Sequence, residues 1–346
     1  MDTSLRGIDA AALDGWFQDN IADVHAPLRF ELIAGGHSNL TYRVDEAGGR
    51  KFALRRPPLG FKPRHGAHDV VREYRILAAL KDSAVPVPVA EALCTDSSII
   101  GASFYVTRWV EGYILDRPSH VEAVLADSGA RRRAAFSLVD TLAELHRCEV
   151  DAVGLGDLGQ RDNYLERQLI RLGQVWETTK TRELPIIDSL HKELLARCPP
   201  QRYTGIVHSD YRFGNVMLGA AGDVAAVLDW ELCALGDVTV DVAYLLTNWD
   251  LPEDPWPDVW MQPAPTRAGG FPSRHEILAR YAEKTGFDLQ AIDYYCAFCY
   301  WRIAVLAEGI KRRYETGVIA QHTDLDALDR RVRNRAAMAE RYLKAA

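Results

Sequence analysis

Apolar positions change their spacing several times along the chain. Between Ala10 and Ile21 they recur at helical intervals, which predicts an N-terminal helix. Beyond it come short β-like runs separated by turn residues, RFELIAGG, LTYRVDEAGGR and KFALRRPP, the pattern of an antiparallel meander. AHDVVREYRILAAL returns to helical spacing, with Val70, Tyr74, Leu77 and Leu80 in register, and VPVPVAEALC and the strand-like SFYVTRWV follow. Residues 1–110 thus read as a small lobe of strands with one main helix. From Glu111 to residue 346 the pattern is mostly helical, clearest in RRRAAFSLVDTLAELHRC, NYLERQLIRLGQVWETTK and LPIIDSLHKELLARC. AVLDWELCALGD, the helix DVAYLLTNW, a Pro-rich passage around LPEDPWPDVWMQPAP and three further helices complete it. The expected class is α+β in two lobes, without internal repeats.

One stretch interrupts the helical lobe. IVHSDYRFGNVMLG, residues 206–219, is an apolar run broken by His208, Asp210 and Asn215. Asp, Gly and Asn fit poorly on a pleated, half-buried surface and favour turns. The stretch therefore reads as a strand (Gly205–Val207), a polar loop and a second strand (Asn215–Leu218). That second strand turns back through GAAGD into VAAVL, and such a hairpin brings Asn215 near Asp229, with Asp210 just outside. Two oxygen ligands beside a free carboxylate suit Mg²⁺ held together with substrate phosphates, and leave Asp210 to accept a proton. This is the division of labour of the phosphoryl-transfer template, in which a loop Asp takes the hydroxyl proton and an Asn five residues later binds metal.

Composition narrows the classes. The 346 residues are 48% hydrophobic and 26% charged, as in an ordinary globular protein. A net charge of −7 gives no general electrostatic reason to bind nucleic acid or a membrane, leaving Arg55-Arg56 and Arg131-Arg132-Arg133 as local cationic clusters. MDTSLRGIDAAALDGWF lacks a signal-peptide pattern and no stretch reaches the roughly 18 apolar residues of a spanning helix, so a cytoplasmic protein is expected. The scattered cysteines are expected to be reduced, and Cys296 and Cys299, in an apolar helix without a second ligand pair, to be core packing.

HSDYRFGNVMLG followed by VLDWELCALGDVTVDVAYLL resembles the aminoglycoside phosphotransferase (APH-like) kinases. LRRPP, VVREYRIL, FYVTRWVEG and the Asp237/Asp241 pair look most like the subgroup joined to acyl-CoA dehydrogenases. The resemblance implies a bilobal protein-kinase-like fold over roughly residues 28–320. It makes Asp210 the catalytic base, Asn215 and Asp229 the Mg²⁺ ligands, Asp241 a support of the catalytic loop and His208 a structural brace. On the same template Gly35, Gly36, Ser38 and Asn39 form the phosphate-binding turn, although AGGHSNLTYRV departs from G-x-G-x-x-G and an ordinary hairpin turn would look similar. Arg55 stands where the template has Lys, with Glu73 as its ion-pair partner; a solvated Glu73 is the alternative, since Arg72 and Arg75 are neighbours. Trp109 and Val110, in RWVEG at the junction of the lobes, would contact the adenine.

The expected activity is transfer of the γ-phosphoryl group of ATP, or GTP, to a hydroxyl of a small metabolite, with Mg²⁺ as cofactor. A hydroxylated acyl compound is favoured by the subgroup resemblance. The alternatives are an antibiotic phosphotransferase and a nucleotide-binding regulatory module without turnover. A metal hydrolase built on His208, Asp210 and Asp229 would need further His ligands, and His191, His275 and His322 lack metal spacing. Charge leaves the acceptor open: Glu253, Asp254 and Asp258 suit a cationic one, whereas Arg267, Arg274, Arg302, Lys311, Arg312 and Arg313 suit an anionic one. Trp249, Trp256 and Trp260 read as aromatic core or lid packing in preference to a substrate pocket.

Overall fold

The computed structural model describes residues 6–34, 39–60, 69–254, 263–319 and 323–346. Helix α1 (Ala10–Asn20) is capped by Asp9, whose carboxylate accepts from the Ala12 N–H, and it buries Leu13 and Phe17. Those side chains meet a five-stranded antiparallel sheet. Its order is β1 (Arg29–Ala34), β2 (Leu40–Asp45), β3 (Lys51–Arg56), β5 (Phe104–Arg108) and β4 (Ala90–Cys94). The predicted meander is β1 to β3, and β5 inserts between β3 and β4.

Side chains alternate across a strand, and this alternation sorts the sheet's chemistry. Tyr42, Val44, Phe52, Leu54, Phe104 and Val106 are buried in the core shared with α1. Thr41, Ala53, Arg55, Tyr105 and Thr107 face a cleft on the other side. Arg55 and Arg56 are therefore sent to opposite faces and form no joint anion site. Arg56 is buried, donating to the carbonyls of Gly7 and Ile100.

Helix α2 (Val70–Leu80) starts at Asp69, whose carboxylate accepts from the Arg72 N–H. Its Val70, Ile76, Leu77 and Leu80 join the core of the helical lobe and not that of the sheet and α1. Polar ties run the same way: the Arg72 guanidinium donates to the Cys233 carbonyl at 2.6 Å, and Arg75 reaches the Gly154 carbonyl at 3.0 Å.

The helical lobe holds α3 (Pro118–Val124), α4 (Ser128–Arg147), α5 (Tyr164–Thr179), α6 (Pro185–Ala196), α7 (Thr239–Thr247), α8 (Arg274–Thr285), α9 (Ile292–Glu315) and α10 (Leu325–Ala345). Helix α9 is its post, packed by α5, α6, α7 and α10. Cys296 and Cys299 lie on its buried side, and burial pushes the Cys299 thiol up to about 12. Two small ribbons frame the polar loop. The hairpin of β7 (Val216–Leu218) and β8 (Val224–Val227) is the predicted one. The partner of β6 (Thr204–Val207) is β9 (Ala234–Asp237), a strand the apolar pattern does not announce. The loop at Asp210 thus leaves one ribbon and enters the other, with both ends fixed.

Candidate active site

Residues 208–215 are held by backbone contacts from several directions. Ser209 has φ of 71°, a left-handed conformation unusual for a residue with a Cβ. Three helices and a strand end maintain it. The two carboxylate oxygens of Asp241, on α7, accept from the His208 N–H at 2.6 Å and the Ser209 N–H at 2.8 Å. Arg302, on α9, donates to the Ser209 carbonyl at 3.0 Å, and the Tyr164 hydroxyl of α5 lies 3.3 Å from the Ser209 hydroxyl. The His208 Nε2–H donates to the Leu228 carbonyl at 2.8 Å, which leaves Nδ1 to accept from the Asp210 N–H at 3.3 Å. Asp241 is in turn 3.4 Å from the buried His146, whose other ring nitrogen lies 2.7 Å from the Tyr281 hydroxyl. A strained residue persists only where its surroundings over-determine it, and these do.

The loop presents Asp210 at its tip. Asn215 Nδ2 donates to Asp210 Oδ2 at 2.6 Å and to its carbonyl at 2.8 Å. What Asn215 can offer a cation is therefore Oδ1. Hairpin pairing puts the Leu228 N–H on the Asn215 carbonyl at 2.8 Å, so Asn215 and Asp229 sit side by side at the open end of β7 and β8. Asp229 also has a left-handed backbone, φ 63°, which turns its side chain away from the ribbon.

Arg55 crosses to this end from the sheet. Its guanidinium lies 3.0 Å from Glu73 and 2.5 Å from Asp229, with Glu231 at 3.9 Å. Glu73 is 1% exposed and accepts from Asn39 Nδ2 at 2.5 Å and the Tyr105 hydroxyl at 3.0 Å. The solvated alternative for Glu73 is thereby removed; Arg72 and Arg75 are engaged with the other lobe. Burial pushes the Glu73 carboxyl up to about 7, against the pull of Arg55 and the Tyr105 hydroxyl. Arg55 is raised by Tyr105, Glu73 and Asp229 against the opposing effect of its burial, so it stays a cation.

A cavity of about 270 Å³ opens between the sheet and the hairpin. Arg55, Asn215 and Asp229 line its polar end, and Ala53, Leu77, Met217, Trp109 and Val110 its apolar part. A second cavity, about 350 Å³, lies on the other side of Asp210 and is lined by Arg212, Tyr244, Asn248, Arg331 and Arg335 among others. Gly35, Gly36 and Ser38 lie outside the described residues, as do Asp258, Trp256, Trp260 and His322. Asn39 is described and buried, bonded to Glu73, with its Oδ1 unpartnered.

A model of the phosphotransferase enzyme family (APH) matches residues 29–291. The chain belongs to that family. Among its relatives is mouse acyl-CoA dehydrogenase family member 10, 32% identical over 302 residues that cover 86% of this chain and 28% of that protein. The chain therefore spans little more than a quarter of that relative. A solved structure from Ralstonia eutropha, assigned to the aminoglycoside phosphotransferases, superposes with a TM-score of 0.83 at 31% identity, covering 98% of this chain and 99% of that one. An amicoumacin kinase, solved with AMP-PNP, Ca²⁺ and its antibiotic, shares the fold at a TM-score of 0.63 and 14% identity, covering 99% and 96%. The fold of this family member is the bilobal kinase-like one.

Several candidates fall elsewhere than the second cavity. Arg302 serves the Ser209 carbonyl. Arg274 is bound bidentately by Asp254, and Arg267 donates to the Leu251 and Pro252 carbonyls. Lys311 and Arg312 engage the α5 end through Thr181 and Thr178. Trp249 is the exception: it is buried and stacked on Phe213 at 5.5 Å, and both residues line the second cavity. Tyr244 is the site residue that spacing analysis overlooks, although a signal exists. It follows Asp241 by three positions on α7, so both project toward the same loop. Among the described residues no helix is long and apolar enough to cross a membrane.

Proposed function

We propose that this phosphotransferase moves the γ-phosphoryl group of ATP, or GTP, to a hydroxyl of a small metabolite. The observation that carries this reading is the placement of Asp210 on the wall of one cavity, bonded to Asn215, which with Asp229 lines the other. In this reading residues 1–110 bind the nucleotide, with Trp109 and Val110 against the base and Asn39 at the phosphate turn. Residues 111–346 carry the loop and the acceptor site. Asp210 takes the proton of the acceptor hydroxyl as that oxygen bonds to phosphorus and the bridging bond to the nucleoside diphosphate breaks. Arg55 holds phosphate oxygens, steadied by Glu73. His208 and Asp241 fix the loop.

The donor set fits a hard cation. Asn215 Oδ1 and the Asp229 carboxylate are oxygen ligands at the mouth of one cavity, and phosphate oxygens complete such a set. Mg²⁺ held there supplies charge neutralisation on the transferring group. The amicoumacin kinase complex, which pairs a nucleotide analogue with a divalent ion in this fold, supports the same cofactor class.

The second cavity sets Arg212, Arg331 and Arg335 against Asp116, Asp210 and Asp250, three charges of each sign, so charge alone leaves the acceptor open. The likeness to relatives named as acyl-CoA dehydrogenase family members supports a hydroxylated acyl compound over a polycationic antibiotic. ADP release with Mg²⁺-ATP over a panel of hydroxy acids, hydroxyacyl thioesters and aminoglycosides tests the reading. Turnover with the anionic members is expected, and turnover with aminoglycosides alone would reverse the acceptor class.

A second reading, nucleotide binding without turnover, is favoured by the 2.5 Å contact of Arg55 with Asp229, which engages the metal-ligand candidate. Arg55 substitutions separate the two. Arg55→Ala is expected to lose about 1.5–3 kcal/mol of transition-state stabilisation through its charge-assisted hydrogen bonds, and Arg55→Lys to recover only part. Glu73→Ala added to Arg55→Ala is expected to change little further, since both break one pair. Single-turnover rates and nucleotide affinities of wild type, both Arg55 variants, Glu73→Ala and the double variant check this, and fully additive losses would separate Glu73 from Arg55.

A further inference from the structure

Asp210 is already engaged on both oxygens. The Tyr244 hydroxyl donates to Oδ1 at 2.5 Å, with the Arg212 guanidinium 3.4 Å from the same oxygen, while Asn215 Nδ2 holds Oδ2. Tyr244 is fixed in turn. It stands on α7 three residues after Asp241, and the Arg302 guanidinium lies 5.5 Å from its ring centre. Burial and the facing Asp210 carboxylate raise the phenol well above its ordinary range, so it remains a donor. Tyr244 and Asp210 both line the cavity in which an acceptor would sit. A hydroxyl entering from that cavity therefore meets an Oδ1 that already accepts from a phenol.

We infer that Tyr244 is a positioning residue that keeps water off the base: its hydroxyl occupies Asp210 Oδ1 until an acceptor alcohol, held by the cavity walls, displaces it. This rests on the phosphotransfer reading above. Water arriving alone has no remote binding energy with which to compete against a donor already ordered on a helix. An acceptor seated among Arg212, Asn248 and Arg335 has such energy. The suppressed side reaction is nucleotide hydrolysis: a water oxygen bonds to the γ-phosphorus, the bridging bond breaks with its electron pair leaving on the nucleoside diphosphate, and Asp210 takes the water proton. Phe at position 244 keeps the ring over Arg302 and removes only the donor.

The test is ADP release from Mg²⁺-ATP with no acceptor added, for wild type, Tyr244→Phe and Tyr244→Phe/Asp210→Asn, beside calorimetric affinity for AMP-PNP. Hydrolysis is expected to rise about tenfold in Tyr244→Phe, the lower end of what one hydrogen bond to a charged group is worth. It should fall below the wild-type rate in the double variant. A misfolded site would lower hydrolysis, and a loosened one that merely admits water is recognised by its loss of AMP-PNP affinity. Unchanged or reduced hydrolysis in Tyr244→Phe with AMP-PNP affinity retained would overturn the inference and leave the phosphotransfer reading standing. A gain that survives Asp210→Asn would also overturn it, because the hydrolysis would not pass through the base. Loss of AMP-PNP binding by the wild type would instead remove the phosphotransfer reading and the inference with it.

Discussion

Asp210→Asn is expected to lower turnover by about two to four decades while leaving Mg²⁺-nucleotide affinity nearly intact, the range for removal of a general base. Geometry explains why the loss should be selective. Asp210 lines the cavity proposed for the acceptor and is absent from the lining of the one proposed for the nucleotide, whose polar end is built by Arg55, Asn215 and Asp229. An amide at position 210 can still accept from Tyr244 through its oxygen, so the loop is not obliged to move. Its NH₂ would then face Asn215 Nδ2 at the other atom, and two donors cannot bond each other. Some local adjustment is therefore expected, visible as a small change in stability. Calorimetry with AMP-PNP beside steady-state kinetics measures both. Unchanged turnover would remove Asp210 from the chemistry altogether.

The second large effect belongs to a residue that touches neither cavity. Asp241 is fully buried and satisfies two backbone N–H groups of the loop, those of His208 and Ser209. Asp241→Ala strands both. At about 1–3 kcal/mol for each unsatisfied buried donor, a loss of about 2–5 kcal/mol in unfolding free energy is expected. Asp241→Asn keeps one acceptor oxygen but turns its NH₂ toward the other N–H, so it should recover less than half. Turnover should fall about a hundredfold even where the variant stays folded, because small displacements of a catalytic group carry that penalty. Urea midpoints and turnover at a temperature where both variants are folded separate the two effects. Wild-type stability in Asp241→Ala would show that the left-handed Ser209 is held by Arg302 and Tyr164 without it.

The parts of the site that were legible in the sequence are those set by short-range rules. Asn215 and Asp229 come together because a hairpin has few registers, and GAAGD marks its turn. Arg55 faces the cleft because side chains alternate, and its neighbour Arg56 is excluded for the same reason. Other features depend on contacts distant in sequence. Strand β9 has four residues, includes a Gly, and is a strand only because Ile206 pairs with Leu235. Helix α3, seven residues beginning at a Pro, is too short to show a period. Arg302 stands in the sequence among the cations that suit an anionic acceptor, whereas its carbonyl partner lies 93 positions away. The glycine turn gives no comparison, since Gly35, Gly36 and Ser38 are outside the described residues.

The anchoring of α2 bears on how such an enzyme can be controlled. In protein kinases the helix carrying the ion-pair Glu is a lever, and activation works by moving it. Here Val70, Ile76, Leu77 and Leu80 belong to the core that continues into the helical lobe while α2 also packs on β4 and β5, and Arg72 and Arg75 are tied to carbonyls of the helical lobe. Withdrawing four such side chains at about 1.5–3 kcal/mol each would consume most of an ordinary domain's stability margin of about 5–15 kcal/mol. A lever that cannot be thrown without unfolding the machine is no lever. On the proposed phosphotransfer reading, an inhibitor aimed at this architecture should seek the two cavities rather than a displaced helix.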